Sequence, residues 1–127
     1  QESIYNGLKS LENEIPSNSI VMIHDGNRCM VSGEIISDSI ATFHKYGSAV
    51  TAIPCVEAVF RSDDDGISSV DSIPREQLFR TQTPHTYTLE KLLDAHKKAK
   101  EKNITNTAAT CTLMQALLHT KKDNWLK

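Results

Sequence analysis

IVMIHDGNRCMVSG, residues 20–33, carries an apolar run straight into His24, Asp25 and Arg28. A short apolar run that ends in polar residues, with a helical pattern after it, is how α/β proteins place chemistry at the carboxyl end of a strand. The stretch therefore predicts a buried strand with a candidate site at its end. Immediately downstream, VSGEIISDSIATFHKYG (31–47) predicts a helix, with Ser32 as its cap, an apolar face of Ile35, Ile36, Ile40 and Phe43, and Gly47 as its stop. SAVTAIP (48–54) reads as the next strand. Strand, helix and strand in that order imply a right-handed parallel crossover and an α/β fold. Upstream, Ile4, Leu8 and Leu11 recur at i, i+4 and i+7, which predicts an opening helix that stops near Pro16.

The middle of the chain changes character. CVEAVFRS (55–62), DDDG (63–66) and ISSVDSI (67–73) read as two short strands around an Asp-Gly turn, a projecting β-hairpin. FRTQTPHTY (79–87) adds another extended piece. Thr88 then caps a long helix through Lys100, whose buried face uses Leu89, Leu92, Leu93, His96 and Ala99. A last helix covers Ala108 to Leu118, and KKDNWLK (121–127) offers no clear final element. Both ends look cut rather than finished.

With 127 residues, the chain suits one domain over 1–127, with a hairpin arm at about 55–82. A composition of 39% apolar and 24% charged residues with net charge −2 is that of a soluble globular protein, and neither sign is concentrated enough to suggest nucleic acid or an anionic membrane. No apolar run approaches the roughly 20 residues of a membrane helix, and QESIYNGLKS has no signal-peptide pattern, so a cytoplasmic location is expected. Cys29, Cys55 and Cys111 are odd in number and far apart, which points to reduced packing thiols. The five histidines have no zinc-ligand spacing, and DDDG has a turn explanation before a metal-loop one.

QESIYNGL at the start, a strand into IHDGNR, the hairpin arm, and RTQTPHTY before a helix form an ordered set. The set resembles the cytidylyltransferases that act on methylerythritol phosphate and on ribitol phosphate. The resemblance covers nearly the whole chain but only the later part of that family's fold, so the architecture it implies is a partial Rossmann-like nucleotidyltransferase with a hairpin arm for dimerisation. Family members begin with a glycine-rich basic loop and a Pro-Lys pair that hold the triphosphate. Neither is present, because the five glycines never approach a G-x-G spacing.

The activity implied is transfer of CMP from CTP to a polyol phosphate, with Mg2+ as cofactor. The full-length protein is expected to be active and this chain alone inactive. By resemblance, Asp25 lies near the polyol hydroxyls and the metal, Arg28 hydrogen-bonds the acceptor, Arg75 grips the acceptor phosphate, Thr83 contacts that phosphate, and Ser3 contacts the nucleotide. Lys127 matches a closing Asn-x-Lys lysine with one extra residue between it and Asn124. Spacing alone leaves a plainer reading open, in which Asp25 and Ser3 cap turns, Arg28 and Arg75 are solvated, and Thr83 is an ordinary strand threonine. A homodimer is implied, its arm carrying Arg75 to the neighbour's site.

Two departures favour ribitol phosphate over methylerythritol phosphate: Ala58 replaces a hairpin threonine, and Thr105–Asn106 replaces a Thr-Asp pair. Isoprenoid precursor synthesis and cell-wall or capsule polymer synthesis are the pathways implied. The alternative from a different class is a non-catalytic α/β dimerisation or ligand-binding module on the same fold.

Overall fold

The structure, a computed structural model, describes residues 2–105, 107, 109–118 and 125–126. Its elements in chain order are α1 (Glu2–Leu11), β1 (Ile20–Ile23), α2 (Gly33–Tyr46), β2 (Ala49–Pro54), β3 (Val59–Arg61), β4 (Asp71–Ile73), a 3-10 turn (Arg75–Gln77), β5 (Phe79–Thr88), α3 (Leu89–Glu101), α4 (Thr110–Leu118) and β6 (Trp125–Leu126). The caps are those the side chains dictate. Ser32 Oγ accepts from the Ile35 N–H, Thr88 Oγ1 accepts from the Lys91 N–H, and Gly47 closes α2 at φ +83° with its N–H on the Phe43 carbonyl.

The main sheet has the order β1-β5-β2-β6. β5 is antiparallel to both β1 and β2, and β6 is parallel to β2. β1 and β2 thus share a direction, as the strand-helix-strand order implies, but they are not neighbours because β5 stands between them. This placement corrects the expectation of a buried first strand. Among the described residues β1 is at the sheet edge with β5 as its one neighbour, and Ile20 keeps 39% of its surface exposed. FRTQTPHTY, expected only as an extended piece, is instead the central strand, with Pro84 to Tyr87 buried.

Alternation along β5 sorts its side chains between two helical layers. On one face Thr86 meets Ser39 of α2, hydroxyl to hydroxyl at 2.6 Å with both residues buried. On the other, Tyr87 joins a core of Leu8 from α1, Leu89 and Leu92 from α3, and Leu113 and Met114 from α4. The apolar stripe expected on α2 is only half used: Ile36 and Phe43 are half-buried, Ile35 and Ile40 are exposed, and the buried residue is Ser39. On α3 the expected face holds, with Leu93 half-buried and Ala95 added.

β3 and β4 pair antiparallel as a separate two-stranded sheet. They are shorter than the sequence suggests, and residues 62–70 join them where a tight Asp-Gly turn was expected. Asp64 organises this loop by accepting from the Ser68 N–H and hydroxyl and from the Ser62 hydroxyl. Asp65 and Gly66 follow at φ +57° and +88°. The final strand β6 has no counterpart in the sequence reading. Of the cysteines, only Cys111 packs in the core; Cys29 is exposed and Cys55 half-buried, which corrects the reading of all three as packing residues.

Candidate functional site

β1 ends at Ile23, and the backbone turns directly into the polar residues, with the Arg28 N–H on the Asp25 carbonyl at 3.0 Å. Two long-range contacts tie this turn to the central strand. The Asp25 N–H donates to Thr83 Oγ1 at 3.1 Å, and Arg28 Nη1 donates to Gln82 Oε1. Arg28 Nε also donates to Asp25 Oδ2 at 2.9 Å, and His24 Nε2 lies 2.8 Å from the Arg28 carbonyl oxygen. The Asp25 and Arg28 side chains are about half exposed, at 50% and 46%. An ion pair that wet contributes about 0–1 kcal/mol. Its effect is to orient Asp25, not to hold the fold.

A cavity of about 240 Å3 opens beside this turn, lined by Ile4 of α1, Ile23 and Asp25 at the β1 end, Thr81, Thr83 and His85 of β5, and Thr110 at the start of α4. Thr81, Thr83 and His85 bring three polar side chains to this cavity. Burial pushes the His85 imidazole below its ordinary value of 6.5, while the Gln82 backbone and the Asp25 charge pull it partly back.

The sequence-derived candidates separate into three places. Asp25, Arg28 and Thr83 come together as described. Ser3 lies in the first turn of α1, lining an adjoining cleft with His24 and Ile23, so it is close to the turn but not on the Asp25 cavity. Arg75 stands apart in the 3-10 turn, exposed, 3.8 Å from Glu76 and lining a cleft with Cys55, Val56 and Phe79. Lys127 and Asn106 lie outside the described residues. Sequence reasoning missed Gln82 and His85. The clue to both was the alternation of polar residues through 80–86, which a solvent-facing strand explains equally well until the strand is known to be central.

Among the described residues, no group of three or more His, Cys, Asp and Glu is placed to hold a metal ion. Asp25 presents a single half-exposed carboxylate. That donor set fits Mg2+, which binds through one or two carboxylates while waters and substrate phosphates complete its shell. It does not fit zinc, which requires three or four protein ligands. No helix among the described residues is long and apolar enough to cross a membrane.

Comparison with known proteins bears directly on this arrangement. The family model of 2-C-methyl-D-erythritol 4-phosphate cytidylyltransferase matches residues 1–121. The chain is 36% identical over 115 residues to a ribitol-5-phosphate cytidylyltransferase of Vibrio parahaemolyticus, covering 90% of this chain and 48% of that protein. It is 32% identical over 124 residues to a 2-C-methyl-D-erythritol 4-phosphate cytidylyltransferase of Alkaliphilus oremlandii, covering 96% and 50%. In fold it is similar to the crystal structure of 4-diphosphocytidyl-2C-methyl-D-erythritol synthase from Anaerococcus prevotii, with TM-score 0.83, 22% identity, and coverage of 98% of this chain and 52% of the other. The chain spans about half the length of the curated relatives it matches.

Proposed function

Because the chain belongs to the 2-C-methyl-D-erythritol 4-phosphate cytidylyltransferase family, we propose that it forms the acceptor side of an enzyme that transfers CMP from CTP to a polyol phosphate. A phosphate oxygen of the acceptor bonds to the α-phosphorus of CTP as the bond to the departing pyrophosphate breaks. Such a reaction needs positioning and charge stabilisation more than covalent help from the protein. The observation that carries the reading is the convergence of Asp25 and Arg28 from the end of β1 with Gln82 and Thr83 of β5 beside one polar cavity.

In this reading Asp25 accepts from polyol hydroxyls, and Arg28, already bonded to Asp25 and Gln82, keeps that carboxylate aimed while offering its remaining donors to the acceptor. Thr83 fixes the Asp25 backbone and presents its hydroxyl to the acceptor phosphate. Asp25 would hold a magnesium ion, which when bound offsets phosphate charge. Ser3 lies on the nucleotide side. Arg75, exposed on the far cleft, reaches a phosphate only in a neighbouring subunit, and the protein works as a homodimer joined through the β3–β4 arm. Lys127 is assigned to the acceptor phosphate by its motif alone. Cys29 and Cys55, neither in a disulfide, suit a reducing cytoplasm.

Ribitol 5-phosphate is the preferred acceptor. A cavity of about 240 Å3 with three hydroxyl- or imidazole-bearing β5 residues suits a chain of hydroxyls better than a methyl-bearing one. The test is pyrophosphate release from CTP with ribitol 5-phosphate or 2-C-methyl-D-erythritol 4-phosphate by the full-length enzyme that carries this segment, in the wild type and in Asp25→Asn. We expect faster release with ribitol 5-phosphate and loss of more than tenfold in the variant. Equal rates in wild type and Asp25→Asn would overturn the site.

A further inference from the structure

The mechanism above uses Asp25, Arg28 and Thr83 but leaves one wall of the cavity without a task. His85 lies at that wall, 3% exposed, and neither ring nitrogen has a hydrogen-bond partner of normal geometry among the described residues. The Gln82 backbone is near enough to influence one nitrogen, which still leaves the other with nothing to bond. A buried polar atom without a partner costs about 1–3 kcal/mol. Such a group persists in a native structure when something else supplies the bond.

The chemistry of the ring identifies what that something is. Burial keeps the imidazole neutral, with one N–H donor and one bare nitrogen acceptor, so it is a poor partner for a phosphate dianion. It is well matched to a hydroxyl, which both donates and accepts. The surrounding groups point the same way. Thr81 brings a hydroxyl, Asp25 brings a carboxylate, and the volume of about 240 Å3 falls below the roughly 300–1,000 Å3 typical of pockets for drug-sized ligands. That scale and lining suit a short polyhydroxylated chain.

We propose that His85 reads a hydroxyl of the acceptor's polyol chain, making it a specificity-determining residue of this cavity. The proposal rests on the reading of the cavity as the acceptor site. It adds that discrimination among polyol phosphates is set from the β5 side by a neutral imidazole, while the phosphate end is held by other groups. An acceptor lacking that hydroxyl would leave the imidazole buried and unbonded, the condition under which polar sites discriminate most strongly.

Nitrogen-detected NMR of the histidine rings tests this on the chain as it stands, with ribitol 5-phosphate as the probe and inorganic phosphate as the control. We expect the His85 ring signals to shift and saturate with ribitol 5-phosphate and to ignore inorganic phosphate, alongside shifts of the Asp25 and Thr83 amides. His85→Gln keeps a donor and an acceptor and should bind within about threefold of wild type. His85→Phe should bind about tenfold more weakly, the value of one hydrogen bond of about 1.4 kcal/mol. Shifts at Asp25 and Thr83 with an unmoved His85 ring, or full affinity in a folded His85→Phe, would overturn the role of His85 and leave the acceptor site standing. Silence at all three positions would overturn both.

Discussion

The Arg28 side chain bonds to both Asp25 and Gln82. Its bond to Asp25 is too exposed to matter to stability, yet together with the bond to Gln82 it fixes where a carboxylate points. On the acceptor-site reading, Arg28→Ala in the full-length enzyme should therefore raise the acceptor KM by at least about tenfold while moving Tm by less than about 2 °C, given the small worth of exposed pairs. Calorimetry beside steady-state kinetics checks both halves, and a large loss of Tm would mean that the residue is structural. His96 shows the opposite balance. It is 5% exposed, its ring centroid lies 5.6 Å from that of Tyr5, and burial, with nearby positive charge including Lys100, holds it below its ordinary value of 6.5. A histidine kept neutral in the fold contributes stability that is fully present above about pH 6.5 and is lost as pH falls, since the unfolded chain takes up the proton first. Urea midpoints should fall below that pH in the wild type and fall less steeply in His96→Gln. Asp25 and Arg28 were legible because they follow an apolar run directly. His85 was not, because nothing local distinguishes a strand histidine facing solvent from one sealed in a cavity wall.

The helices were written locally and could be read locally. Ser32 and Thr88 stand where caps belong, and Gly47 takes a left-handed φ of +83° that other residues adopt only with strain. A Cβ built at Gly47 would meet only Lys91 Nζ at 3.7 Å, an ordinary contact, so the cost of Gly47→Ala is backbone strain and not a clash. We expect about 1–2 kcal/mol of destabilisation in denaturant titrations. Strands were legible as extended segments and illegible as neighbours. β5 reads like one more polar-speckled strand, and its central place depends on pairings with Ile20–Ile23 and Ala49–Pro54 that no window of sequence contains. The buried Ser39 was missed for a related reason, since its partner is the Thr86 hydroxyl on a strand far away in the chain.

Across the whole molecule, apolar surface is distributed unevenly. The arm exposes Val56, Phe60, Ile67 and Val70, with Phe60 at 58% and Ile67 at 88%, although a two-stranded sheet is only marginally stable by itself. If that surface is the subunit interface, light scattering at micromolar concentration should give about twice 14.1 kDa, and Phe60→Glu should return it to 14.1 kDa with the helical circular dichroism unchanged. A wild-type mass of one subunit would remove the interface. The order of the main sheet has a consequence of another kind. β1 and β2 are made early in synthesis but have no contact with each other in the ladder, because each bonds to a strand that begins at Phe79. Neither of these two ladders can form until Phe79–Thr88 has been synthesised, and until then the β5-facing edge of IVMI stays open to other chains. The arrival of β5, and not of either strand it joins, sets when those two edges stop being open to other chains.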